Sequence, residues 1–170
     1  MTYQVPADVA ESVITAAREG RIIQGAWRRK SAGKEMVCAL AAFGPDINSS
    51  SDCPADYMPA WLAELIPGLD DGILSDRVPD FAIGLAERSA RWSALDDQAW
   101  SRVKNGLLIH CIESALAAAE KAQPTPRPAY WDKVQDACGQ VLASLRDGGA
   151  PTAEAARAEA ARAAEAAEAA

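Results

Sequence analysis

Two stretches hold the side chains most able to do chemistry. In EMVCALAAFG (35–44) Cys38 heads a short apolar run, and in NGLLIHCIESALAAA (105–119) the only histidine, His110, precedes Cys111. A cysteine where a strand meets a helix can be held as thiolate by the free amides of the helix, and a histidine elsewhere in the chain can accept its proton. Cys38 with His110 is the one pairing this chain offers on those terms, and Glu113, three residues after His110, is placed to orient the imidazole. His110 and Cys111 cannot serve each other, because adjacent residues leave a helix on different faces. His110 also sits among Leu107, Leu108, Ile109 and Ile112, where a histidine is usually a satisfied structural group. The balance therefore leans away from an enzyme without deciding it. Cys38, His110 and Glu113 remain the candidates for a small cysteine-dependent one.

A metal centre has less behind it. Adjacent ligands do not fit the i, i+4 spacing of helical zinc sites, and there is no second histidine. The aspartate pairs in LDDG (69–72) and LDDQ (95–98) read as a turn and a helix cap rather than as paired catalytic acids. Glycine patterns that cradle phosphate, and the strained elbow of serine hydrolases, are absent. No metal and no other cofactor is expected.

Charge is more informative. Residues 18–34 carry six bases (Arg18, Arg21, Arg28, Arg29, Lys30, Lys34) and one acid, Glu19, whereas residues 44–80 carry eight acids and one base, Arg77. Either the two stretches neutralise each other, or Trp27, Arg28, Arg29, Lys30 and Lys34 form a recognition surface for an acidic protein partner. The net charge of -7 argues against a nucleic-acid binder, which needs a basic face to release counterions.

The elements that must position these residues follow from periodicity. Hydrophobic residues make up 49% of the 170, enough for a core, and five tryptophans against two phenylalanines mark where its bulk lies. A helix is expected from Pro6 to the stop at Gly20, with Val9, Val13, Ala16 and Ala17 on one face. A small β-hairpin follows, with Ile22, Ile23 and Trp27 on its first arm, Gly33 in the SAGK turn, and a second arm that turns toward helix at Cys38. A short helix carries Met58, Trp61, Leu62, Leu65 and Ile66 and ends at Pro67. A further stripe reads Val78, Phe81, Leu85, Trp92 and Leu95. The helix from about 97 to 122 is apolar nearly all round at its middle, the mark of a central buried helix. QPTPRP (123–128) is a rigid connector, and Trp131, Val134, Cys138, Leu142 and Leu145 define the last core helix, stopped by Gly148 and Gly149.

The expected fold is thus mainly α: about five helices with the hairpin near the N-terminus, in one domain over 1–149. Residues 150–170 form an alanine-rich helical tail with no Leu, Ile, Val or aromatic to bury, free to protrude or to associate with copies of itself. The chain stops inside the tail's repeat, so a longer natural chain is expected. The start MTYQVPADVAESV lacks a signal-peptide pattern and no stretch suits a membrane span, so a cytoplasmic protein with four reduced cysteines, three of them packed as small hydrophobes, is expected.

GRIIQGAWRRKSAGKEMVCALAAFG (20–44), followed by CPADYMPAWLAELIPGLDDG (53–72), resembles a family of phage, prophage and bacterial proteins of unknown function. That family shares a tryptophan–glycine–C-x-L stretch, then C-P-x-x-x-M-P-x-W-L-A and an aspartate turn. ARWSALDDQAWSRV (90–103) and the alanine-rich tail are similar too. The resemblance implies a mobile-element origin and brings no assigned chemistry. CALAAFG stands where a C-x-L-G-A-L run is expected, and the missing glycine points to packing at Cys38 rather than a site. The function expected is a non-catalytic accessory protein that binds another protein; a structural or assembly protein using its C-terminal helix is the remaining alternative.

Overall fold

The computed structural model describes residues 2–122 and 127–148. In chain order these form α1 (Ala7–Arg18), β1 (Arg28–Ser31), β2 (Lys34–Val37), α2 (Ala60–Gly72), α3 (Val78–Ser89), α4 (Asp97–Lys121) and α5 (Trp131–Arg146), with short 3-10 turns between them. The fold is mainly helical with one two-stranded antiparallel hairpin near the N-terminus, as the periodicity requires. The tail over 150–170 lies outside the described residues, as does 123–126 of the connector. Contacts gather the chain, read as one domain over 1–149, into two compact units, Met1–Asp96 and Asp97 onward.

In the first unit α1 buries Val13, Ala16 and Ala17, the face its spacing indicates. It ends where Gly20 enters the left-handed region at φ 67°. The Gly20 amide then bonds Ala17 O at 3.1 Å and the Arg21 amide Ala16 O at 2.8 Å, which satisfies carbonyls a helix end leaves open. α3 packs on α1 and buries Val78, Ala82, Ala86 and Ser89. This corrects the expected stripe: Phe81 and Leu85 are only half-buried, because alanines let two helices approach closely and the larger side chains flank that line.

The hairpin is tighter and later than its apolar residues suggest. Ala32 and Gly33, both with positive φ (49° and 78°), close a two-residue turn, and Arg28 pairs with Val37, Arg29 with Met36 and Lys30 with Glu35. Ile22 and Ile23 are buried beside the hairpin, not in its first arm. Ile22 makes an isolated parallel bridge to Val37, and the Ile23 amide donates to Val37 O at 2.8 Å. After Val37 the chain passes through Cys38, Ala39 and Leu40, all buried, into a 3-10 turn at Ala41–Phe43.

α2 does not end at Pro67. It continues through Leu69, Asp70 and Asp71 to Gly72, so LDDG is a helical turn rather than a loop. Proline cannot donate to the preceding turn, but the last turn is held from outside. The Gln24 side-chain amide donates to Asp70 O at 2.6 Å and to Ile73 O at 2.9 Å.

In the second unit α4 packs on α5. α5 buries Trp131, Leu142 and Leu145, with Val134 and Cys138 half-buried on the same side. Glu120 gathers its start: the Trp131 indole N–H donates to it at 2.6 Å and Arg127 at 3.1 Å. Asn105 donates to Leu145 O at 3.1 Å near the far end. The expectation that α4 is a central buried helix is overturned, since Trp100 is its one buried residue and Val103 is 46% exposed. Packing on α5 leaves Leu107, Leu108, Ile109, Ile112 and Leu116 half-buried, and the interleaved Lys104, His110 and Glu113 stay exposed.

Trp92, Trp100 and Trp131 are buried. Trp92→Ala and Trp131→Ala should each lower stability by about 3–5 kcal/mol, as other large-to-small core changes do. Denaturant unfolding of each variant measures it, and losses well under that range at both would show that neither indole anchors its unit.

Candidate functional site

Cys38 is 5% exposed, with its Sγ accepting the Ala41 amide at 3.4 Å. It is fixed from both sides, since its own amide donates to Trp27 O at 2.9 Å. Burial pushes the thiol's pKa up, and the charges of Asp70 and Asp71 add to that against the lowering by the Ala41 and Leu40 amides. A cysteine meant as a nucleophile needs the opposite environment, electropositive and partly open.

His110 and Cys111 are both exposed, which corrects their reading as core groups. Glu113, the expected orienting acid, takes the Arg146 guanidinium at 2.6 Å. Cys38 belongs to the first unit and His110 to the second, and the side chains around Cys38's cavity all come from the first. Cys53 and Cys138 are half-buried, and burial with the nearby Asp56 charge raises the Cys53 thiol to about 11. Among the described residues no cluster of three or more His, Cys, Asp or Glu could hold a metal ion, and no helix is long and apolar enough to cross a membrane.

The basic surface divides. Arg28 is a structural group: its guanidinium donates to Ala41 O at 2.7 Å, to Gly44 O, and to Ile47 O at 3.3 Å, and pairs with Glu35 at 3.4 Å. It closes the loop that follows the hairpin. Trp27 is half-buried and faces a cavity rather than solvent alone. Arg29, Lys30 and Lys34 are exposed on the hairpin tip. Among the described residues none of the six cations of 18–34 pairs with an acid of 44–80; Arg21 takes Glu19 and Arg28 takes Glu35. The two stretches do pack together, through Gln24 and Gly25 on 70–73 and Arg28 on 41–47, but by hydrogen bonds rather than direct ion pairs among the described residues.

The residue that sequence reasoning missed is Asp70. It is 0% exposed, and its Oδ2 accepts the Ala39 amide at 3.1 Å while Oδ1 has no hydrogen-bond partner. Next to it, Asp71 accepts the Gly25 amide at 2.7 Å. Trp27, Cys38, Pro67, Asp70 and Asp71, with Gly25 and Ala26, line a cavity of about 120 Å³. Burial pushes the Asp70 carboxyl up, Asp71 pushes it further, and the Ala39 amide opposes both. The signal was present only as LDDG at the end of an apolar run, which a turn explains equally well.

Comparison with models of protein families, with curated proteins and with solved structures finds no match to this chain.

Two outcomes follow. Cys38 should react slowly with an alkylating reagent across pH 5–9, and His110→Ala should leave that rate unchanged; fast labelling slowed by the substitution would restore the dyad. For Asp70 the sign is set by its raised pKa. The folded state holds the proton at pH values where the unfolded chain has lost it, so this contribution is complete below the ordinary carboxyl value of about 3.9 and is lost as pH rises through the folded value. Urea unfolding should show wild type losing stability relative to Asp70→Asn as pH rises through that window. A difference independent of pH would mean that Asp70 keeps its ordinary pKa.

Proposed function

We propose that this chain is a non-catalytic accessory protein of phage or prophage type that works in the cytoplasm by binding an acidic protein partner through its hairpin tip. The observation that carries this reading is the set of three exposed cations, Arg29, Lys30 and Lys34, which have no ion pair among the described residues. They sit on a two-residue hairpin, and Arg28 ties the hairpin's base to the following loop through Ala41, Gly44 and Ile47. A rigid base with free charges at its tip loses little conformational freedom on association. Exposed complementary charge then steers the encounter and selects the partner.

The resemblance to phage and prophage proteins supports the origin, and the net charge of -7 favours a protein over a nucleic acid. The enzyme alternative gains nothing from the buried, raised-pKa thiol of Cys38. Self-association through the alanine-rich tail concerns residues outside those described.

Non-covalent affinity capture from the native host followed by mass spectrometry, with wild type and the triple variant Arg29→Glu, Lys30→Glu, Lys34→Glu, tests the reading. One or a few acidic proteins should be retained by wild type, lost with the triple variant, and released near 1 M salt, where the Debye length falls to about 3 Å. A partner retained equally by both chains would place the interface elsewhere and overturn the proposal.

A further inference from the structure

The cavity beside Cys38 has the features of a cation site. Asp70 at its wall is wholly buried, one carboxyl oxygen holds the Ala39 amide, and the other has no partner. Buried polar atoms in folded proteins are nearly always satisfied, so an orphan carboxyl oxygen against a cavity calls for an occupant that donates a hydrogen bond. The cavity, about 120 Å³, is several times what one water needs. Its lining runs from the exposed Asp71 and Gly25, through half-buried Ala26, Trp27 and Pro67, to the buried Cys38 and Asp70.

We propose that this cavity binds a small primary ammonium group, either a free short alkylamine or the end of a lysine side chain, with Asp70 as its counter-charge.

The lining contains two carboxyls, one thiol and no cation, so nothing in it compensates Asp70 once that carboxyl ionises. Asp71 at the open end attracts a cation, although one of its oxygens is occupied by the Gly25 amide. Trp27, Ala26 and Pro67 add apolar wall suited to a short alkyl stem. An ammonium fits better than a guanidinium: it is a compact charge with rotatable donors, whereas the planar guanidinium fork is matched to two acceptor oxygens at once. Asp70 offers one free oxygen. Pairing with the cation favours its ionised form, so uptake of the ammonium displaces the proton that burial otherwise keeps on the carboxyl. Among the described residues the other titratable groups lining the cavity are Cys38 and Asp71, and neither competes as a cation.

Isothermal titration of the full chain with ethylammonium chloride, against potassium chloride at the same ionic strength, reads the site directly. Saturable binding is expected, tightening as pH rises through the range where Asp70 ionises, with heats that depend on the buffer's ionisation enthalpy below it. Asp70→Asn keeps an oxygen for the Ala39 amide and loses only the charge, and it should weaken binding roughly tenfold or more, as loss of one member of a buried charge pair does. Ala26→Leu fills the cavity with both carboxyls in place and should abolish binding. The exposed Asp71→Asn should weaken it by a smaller factor and guards against misfolding of the other two, which circular dichroism checks. Nα-acetyl-lysine amide separates the sources: binding matching ethylammonium assigns a lysine side chain, and binding of ethylammonium alone assigns a free amine. Absence of saturation beyond the potassium blank, or equal binding by wild type, Asp70→Asn and Ala26→Leu, would leave water as the only occupant and overturn the proposal.

Discussion

The carboxyl of Asp70 is the joint on which the first unit turns. It leaves the last turn of α2 and reaches the Ala39 amide, just past the hairpin, where the chain has neither strand nor helix partners of its own. Buried amides outside regular structure must find an acceptor somewhere, and here the nearest one is a side chain more than thirty residues away in sequence. Gln24 and Asp71 make the same connection in both directions, the first to carbonyls at the end of α2 and the second to the Gly25 amide. Together these bonds keep α2 helical beyond Pro67 and bring Trp27 and Cys38 to one cavity. Ionising Asp70 in that setting is unfavourable, which is why a joint of this kind also responds to pH and to a cation.

Arg28 does for the loop after the hairpin what Asp70 does for its entry. A guanidinium has five donors in a fixed plane, so one side chain can satisfy several carbonyls at once. Spending Arg28 on Ala41, Gly44 and Ile47 orders 41–47 without a helix or strand there. It also turns Arg28 back to the fold, whereas Arg29, Lys30 and Lys34 stay exposed. Neighbouring cations of the hairpin thus differ in duty by whether the side chain points back to the fold.

The second unit is held differently. Its polar ties lie near the ends, with Glu120 taking Trp131 and Arg127 at one end and Asn105 reaching Leu145 at the other. Between them Leu107, Leu108, Ile109, Ile112 and Leu116 of α4 are half-buried, while Lys104, His110 and Glu113 are exposed. The exposed Arg146–Glu113 pair adds little, because side-chain entropy and solvent offset most of its attraction.

Helix number, the hairpin and its glycine turn, the tryptophan anchors and the stop at Gly20 were legible because they depend on local conformational preference and on periodicity, which neighbouring residues express by themselves. The buried face of α1 was read correctly for the same reason. Whether LDDG turns or continues a helix was not legible, since Pro67 argues for a stop and only the distant Gln24 overrides it. The burial of Asp70, the structural duty of Arg28 and the exposure of His110 were equally out of reach. Sequence determined which side chains could act as acids, cations or thiols. Tertiary structure alone decided which of them lost water, because desolvation depends on what packs against a group and not on its neighbours in the chain.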